Sequence, residues 1–463
     1  MVFSSIDFIF KFLPVFTLIY YIIPKKFKNG FLFAGSLFFY AWGERFYLFL
    51  LLFSIIINYI FGRRIYREAL GSKRRKIYMI CAVAADFAIL AFFKYINFIF
   101  DNIHFLFHTE RITLSVTLPL GISFYTFQIV SYIIDVYRGN QKEADNIITL
   151  DTYICMFPQL VAGPIVTFRQ VDRELRDRTV TLENLEEGLK IFVLGLGSKV
   201  ILANQIGSLW TSASRYGYDS ISTPFAWLCA FAYSFQIYFD FFGYSVMAIG
   251  LGKMLGFEIP KNFDNPYTSS SMSEFWRRWH MTLGSWFKDY VYFPLGGSRC
   301  ETKKIIRNTF IVWAFTGLWH GASWNFVIWG LSFFVFLTLE RFVYGKALAE
   351  TKIIKHLYVI FFIPLTWVIF ALTDFSEIVT YFSRLFPFGG TPDFITTDDF
   401  TSALRTYWYI LAACVLFSLP FPERFYKKYK DSKFMILILA FIFGYSIYRL
   451  KVAENNPFLY FRF

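Results

Sequence analysis

Long apolar blocks separated by short polar loops run through almost the whole chain. FYLFLLLFSIIINYIFG (46–62), IYMICAVAADFAILAFF (77–93) and FMILILAFIFGYSIY (434–448) are the clearest of them. A helix needs about 20 mostly apolar residues to cross a bilayer, and roughly a dozen stretches meet that criterion with their flanks. The pattern therefore predicts an all-α polytopic membrane protein, built as a single integrated domain over 1–463, and it shows no internal repeat. Three stretches break the rhythm. TYICMFPQLVAGPIV (152–166) is too short and too rich in Pro and Gly to span. It reads as a re-entrant segment, which is tolerated only where protein or a water-filled cavity covers its backbone. FRQVDRELRDRTVTLENLEEGLK (168–190) has the mixed charge of a solvated helical hairpin. The region 256–308 is the least lipid-like long stretch.

Composition agrees with the pattern, since 56% of the 463 residues are hydrophobic and 17% charged, with 62 Phe and 30 Tyr. Soluble domains sit nearer half apolar and a quarter charged. The net charge of +13 is a matter of placement more than of nucleic-acid binding. GRRIYREALGSKRRK (62–76) holds seven basic residues against one acid, and PERFYKKYKDSK (422–433) five against two. Both are short loops of the kind that stay cytoplasmic and meet anionic membrane lipid. Counting from them, 136–146, 168–190, 256–308 and 341–355 also lie inside. Loops 101–113 and 374–404 lie outside, as does the C-terminal tail, 451–463. The N-terminus lacks a basic leader and a cleavage site, so it is expected as a retained first helix. The five Cys are scattered without a CxxC pair, which argues against disulfides and zinc.

Chemistry concentrates at two histidines. In TSSSMSEFWRRWHMTLGSWFKDYVYFPLGG (268–297), Ser271 and Glu274 form a capping box that starts a helix before Phe275. On one continuous helix Trp276, Trp279, His280 and Leu283 would share a face, with Arg277 and Lys288 off it and Arg278 at its margin. An interfacial anchor helix with an incidental histidine has the same pattern. In TGLWHGASWN (316–325), His320 lies inside an apolar run, where ionisable residues are costly and mark sites. Its neighbours Gly317, Gly321, Ala322 and Ser323 are small, so another backbone or a ligand can approach, and Trp319 and Trp324 would wall the ring. A neutral imidazole there suits a general base, and a structural histidine bonded across helices is the alternative. No acid lies near His320 in sequence; Asp289 would need the fold to bring it there. Neither histidine has ligands at metal spacing.

FWRRWHMTLGSWFKDYVYFPLGG and TGLWHGASWNF resemble the two histidine motifs of the membrane-bound O-acyltransferase (MBOAT) superfamily. The likeness is strongest to the bacterial branch typified by the alginate O-acetyltransferase membrane subunit. MVFSSIDFIFKFLPVFTLIYYIIP, LPLGISFYTFQIVSYIIDVYRG (118–139), FPQLVAGPIVTF (157–168) and FDFFGYSVMAIGLGKMLGFEIPKNFDNPY (239–267) are similar to that branch too, so the likeness covers most of the chain. It implies a helical bundle around a tunnel, with His320 catalytic deep inside and His280 on its cytoplasmic side. Acetyl-CoA would be the co-substrate, with no tightly bound cofactor, and the acyl group would end on an exported or cell-wall polysaccharide. Arg277, Arg278 and Lys288 would meet the CoA phosphates, although membrane-surface charge explains them equally. Trp276, Trp279, Trp319, Trp324, Asn262 and Asp289 are further candidates to line the tunnel or touch the donor. In related systems a tail of the form NPFLYFRF carries the acyl group on its Tyr, which makes Tyr460 a candidate acceptor here. A partner resembling SGNH hydrolases would complete transfer outside the cell membrane. One departure is FALTDFSE (370–377), which lacks the Arg expected after the aromatic. The alternatives are D-alanyl transfer from a carrier protein to teichoic acid, and a transporter or flippase.

Overall fold

The computed structural model describes residues 1–388, 390, 395–452 and 459, all as helix or loop with no strand among them. The early helices are α1 (Leu13–Ile22), α2 (Lys28–Ala41), α3 (Tyr47–Arg67), α4 (Lys73–Phe107), α5 (Ile122–Arg138), α6 (Ile147–Cys155), α7 (Phe157–Leu160), α8 (Phe168–Arg176) and α9 (Leu182–Gly197). A π-helical turn, Ser198–Ala203, joins α9 to α10 (Asn204–Tyr216), and α11 (Thr223–Met254) follows. The middle of the chain forms α12 (Met272–Arg278), α13 (Met281–Phe287), α14 (Thr302–His320), α15 (Trp324–Leu339), α16 (Gly345–Glu350) and α17 (Ile354–Ala371). The last helices are α18 (Phe375–Leu385), α19 (Asp398–Phe417), α20 (Pro420–Tyr429) and α21 (Lys433–Val452).

Eight candidate spans, fewer than the dozen expected, are long and apolar enough to cross a membrane among the described residues. Length accounts for part of the shortfall. At 1.5 Å per residue, the 14 residues of α2 reach only about 21 Å against a hydrocarbon core of about 30 Å. The chain is an all-α, multi-pass membrane protein. The segment 152–166 breaks into the end of α6, α7 and an irregular stretch, and nearly all of it is buried in protein. Its backbone is held by side chains, with the Tyr153 hydroxyl donating to the Val166 carbonyl at 2.8 Å. The charged stretch at 168–190 forms α8 and the start of α9, and Thr167 and Gln170 close a capping box at α8.

Two compact units emerge from the packing, each assembled from three separated stretches of sequence. The first takes Met1–Phe192, Ser245–Lys261 and Ser285–Tyr290; the second takes Val193–Tyr244, Asn262–Gly284 and Val291–Phe463. In the first unit, Trp286 stacks on Phe127 at 3.8 Å and donates its Nε1–H to the Phe127 carbonyl at 2.9 Å. The second unit contains both candidate histidines.

Candidate active site

His320 is the last residue of α14, which stops because Gly321 takes up extended backbone (φ −170°, ψ 158°). The chain then turns directly into α15. The two helices cross closely because they carry glycines where they meet. A Cβ on Gly317 would stand 2.5 Å from the Phe326 carbonyl oxygen, and one on Gly330 2.5 Å from that of Trp313. A Cβ on Gly321 would strike the Phe326 ring at 2.2 Å. Of the small residues flanking His320, Gly317 thus admits a backbone and Gly321 an aromatic ring.

The His320 ring is 5% exposed. Three aromatic rings stand edge-on to it, Trp319 and Trp329 at 4.9 Å and Phe370 at 5.2 Å. Trp324, expected as a wall, is 58% exposed. Trp329, further along α15, occupies the inner face instead. Asn325 ties the arrangement together by donating from Nδ2 to the carbonyls of Ile369 and Phe370 at 3.2 and 3.1 Å. It thereby locks the start of α15 to the end of α17, which carries the Phe370 ring. Asn325 and Trp329 were not singled out from the sequence; the one signal was an amide inside the apolar run WNFVIWG. Both keep unspent polar atoms. The Trp329 Nε1–H and the Asn325 Oδ1 are buried without a hydrogen-bond partner among the described residues. Each such group costs on the order of 1–3 kcal/mol.

The helix expected to carry Trp276, Trp279, His280 and Leu283 on one face is instead broken. α12 ends at Arg278, Trp279 is extended (φ −105°, ψ 129°), and α13 begins at Met281. His280 sits at the break with φ +46°, a left-handed conformation that is uncommon for a residue with a Cβ. Asn262 holds it there. Its backbone carbonyl accepts from Met281 N at 2.9 Å, and its Oδ1 accepts from Thr282 N at 3.2 Å and Thr282 Oγ1 at 2.9 Å. A backbone N–H can only donate, so this atom is the amide oxygen. It therefore accepts from His280 Nδ1, 3.1 Å away, which assigns the proton to Nδ1 and the lone pair to Nε2. Burial pushes the His280 pKa down to about 3, so the ring is neutral. The Phe241 ring packs on His280 at 4.7 Å, and Trp319 stands between the two histidines, 5.9 Å from His280 and 4.9 Å from His320.

The same unit holds a cavity of about 710 Å³ that neither histidine lines. Ser270, Ser271 and Ser273 line it at the start of α12, Thr309 and Trp313 on α14, and Glu340, Arg341, Lys346 and Lys355 beyond α15. Glu340 accepts from Met272 N at 2.7 Å and Ser273 N at 3.1 Å, meeting the first free donors of α12. Ser271 caps the same helix through Glu274 N at 3.0 Å, one half of the predicted capping box, while the Glu274 carboxylate accepts from Ser270 N at 2.8 Å instead of from Ser271 N. A tryptophan series leads inward from the cavity wall. Trp313 meets Trp276 at 4.7 Å, Trp276 meets Trp329 at 5.5 Å, and Trp329 meets His320. Trp279 packs beside the series, 4.9 Å from Trp367. Of the cations expected at the donor, Arg277 is exposed, Arg278 pairs with Glu274 at 2.6 Å, and Lys288 is exposed and belongs to the first unit. Asp289 also falls in the first unit, where its carbonyl accepts from Arg138 at 3.1 Å. The cations that line the cavity, Arg341, Lys346 and Lys355, had been read only as topology signals. Tyr460 lies outside the described residues.

Residues 145–383 match the family model described as "MBOAT, membrane-bound O-acyltransferase family". The chain is 38% identical over 394 residues to the probable alginate O-acetylase of Azotobacter vinelandii, covering 84% of this chain and 79% of that one. It is 35% identical over 410 residues to the peptidoglycan O-acetyltransferase of Helicobacter pylori, covering 80% and 77%. A teichoic acid D-alanyltransferase of Streptococcus thermophilus is 32% identical over 231 residues, covering 46% and 54%.

Proposed function

The chain belongs to the membrane-bound O-acyltransferase family, and we propose that it takes an acetyl group from acetyl-CoA on the cytoplasmic side of the cell membrane for O-acetylation of an exported or cell-wall polysaccharide. The observation that carries this reading is the buried His320, boxed by aromatic rings that run on to a cation-lined cavity. Arg341, Lys346 and Lys355 supply the positive charge that a CoA phosphate needs. The apolar wall of tryptophans suits the arm that carries the thioester inward.

In this reading His320 is the general base. It takes the proton of an acceptor hydroxyl as that oxygen attacks the thioester carbonyl carbon. The C–S bond then breaks, and the imidazolium returns its proton to the leaving thiolate. The buried Trp329 N–H is a donor available to the carbonyl oxygen as it gains charge. His280, neutral and oriented by Asn262, presents Nε2 as a second proton acceptor. The acceptor hydroxyl is that of Tyr460, and a partner of SGNH-hydrolase type moves the group on to sugar. Splitting the transfer in two shortens each step.

D-alanyl transfer is the less favoured reading, because those relatives match about half of this chain and the O-acetylating relatives more than three quarters. The test uses membranes carrying wild-type protein or His320→Ala, with labelled acetyl-CoA. Transfer to polysaccharide and to a C-terminal peptide should fall at least about 100-fold in the variant, the range for loss of a general base. Undiminished transfer with a reduced solute flux would replace the enzyme reading with a transporter.

A further inference from the structure

Lys199 and Asp240 form an ion pair whose side chains are 2% and 1% exposed. Each lies near the middle of a candidate span, Leu182–Tyr216 and Thr223–Met254 respectively. Charges at that depth are expensive, and a buried pair repays its desolvation only when further hydrogen bonds use the remaining donors and lone pairs. Two such bonds are present. Lys199 Nζ donates to Asn204 Oδ1 at 2.8 Å. Asp240 Oδ2 accepts at 2.8 Å from the backbone N–H of Leu459, a residue 219 positions away and itself 7% exposed.

The local fold is shaped to bring these groups together. Lys199 projects from the π-helical turn Ser198–Ala203, a form of helix distortion that is frequent at functional sites. α11 approaches that turn closely because position 243 is glycine: a Cβ there would stand 2.8 Å from Lys199 N. Asp240, three residues earlier on α11, therefore lies alongside Lys199. α21 packs on the same region, with Ile442 2.6 Å from where a Cβ of Gly197 would be. α21 ends at Val452. Leu459 lies seven residues beyond that end of the helix. The adjoining residue of α11, Phe241, is the one whose ring packs on His280.

We propose that the buried Lys199–Asp240 pair is a seat for the C-terminal tail, in which Asp240 fixes Leu459 by its backbone N–H and so acts as a positioning residue. The seat needs no particular side chain at 459, because the contact is to the main chain. Its catalytic consequence rests on the acyl-transfer reading above, since Leu459 is the residue before the candidate acceptor; its existence does not.

Site-resolved hydrogen–deuterium exchange of the full-length protein in detergent or nanodiscs reads the bond directly. In the wild type the Leu459 amide should exchange far more slowly than an unstructured amide; exchange at the unstructured rate overturns the proposal without any variant. Two variants then test the acceptor while removing both charges, so that neither strands a lone buried ion. Lys199→Met/Asp240→Leu deletes the acceptor and should speed Leu459 exchange at least about tenfold, the scale of one buried hydrogen bond to a charged group. Lys199→Met/Asp240→Asn keeps an oxygen acceptor and should hold exchange within a few-fold of wild type. Equal protection in both variants overturns the proposal. Protection of amides in α11 reports whether each variant is folded. In acetyl transfer, the Leu variant should lose kcat with the acetyl-CoA KM unchanged, and the Asn variant should recover most of it. Loss of Leu459 protection with unchanged transfer would leave the seat standing and remove the tail from the reaction.

Discussion

At the scale of single residues, the Asn262–His280 contact decides more than the histidine alone. One amide oxygen accepts from Thr282 and from His280 Nδ1, so it fixes the loop conformation and the imidazole tautomer together. Burial makes the charged imidazole unfavourable and pushes its pKa down to about 3. The unfolded chain takes up that proton near the ordinary histidine value of about 6.5. Above that pH both states are neutral at this position and it contributes no pH dependence. As the pH falls through about 6.5, only the unfolded state gains the proton, so stability drains away until about pH 3. His280→Asn should therefore lose less melting temperature than wild type between about pH 7.5 and 5.5. Parallel curves would mean that His280 is not held neutral. The companion variant, Asn262→Asp, puts a carboxylate beside Nδ1 and stabilises the imidazolium. It should add a limb to the rate profile, with transfer falling toward acid as His280 Nε2 is protonated, which the wild-type profile lacks in that range.

At the scale of elements, the α14–α15 hairpin is held by backbone contact at Gly317 and Gly330. With a Cβ 2.5 Å from a carbonyl oxygen at each position, alanine would push two helices apart. Gly317→Ala or Gly330→Ala should cost about 1–3 kcal/mol or more and misplace His320, read as a lower melting temperature with reduced transfer. Gly284→Ala is the control: the nearest atom, the Trp276 carbonyl oxygen, is 3.8 Å away, so stability should hold or rise slightly. A melting temperature unchanged by Gly317→Ala would refute close backbone packing. These elements also show what the sequence could convey. The apolar blocks, the Ser271 cap and the helicity of the charged stretch in α8 and the start of α9 were legible because each depends on residues a few positions apart. The break at His280 was not, because local 3–4 spacing favours an unbroken helix while the restraint comes from Asn262, 18 residues away. Glu340 reaching the start of α12 from 68 residues on, and Trp329 replacing Trp324 beside His320, escaped for the same reason. Pairing across sequence distance is set by packing, which a hydropathy pattern does not encode.

At the scale of the whole molecule, the net charge of +13 sorts into two uses that the sequence alone could not separate. Many basic residues stand exposed at helix ends, as in 63–76 and 424–433, where positive charge suits a topology signal and contact with anionic lipid. Arg341, Lys346 and Lys355 instead gather on one cavity. If that cavity takes the donor, its cations contribute to binding before any bond changes, so their loss should raise KM and spare kcat. Replacing all three by Gln should raise the acetyl-CoA KM roughly 10- to 100-fold, which is about 1.4–2.7 kcal/mol of charge-assisted contact in total. The wild-type KM should itself climb with salt, and the triple variant should lose most of that dependence, because screening acts on the contacts removed. Arg277→Gln, exposed and off the cavity wall, should change KM less than about twofold, within the range of an exposed surface charge. The reverse result, with Arg277 dominant and the triple variant silent, would move the donor from this cavity to the outer face of α12. Either way the KM–kcat split separates a donor site from a membrane-surface patch, whose loss would lower the amount of protein in the membrane and leave both constants alone.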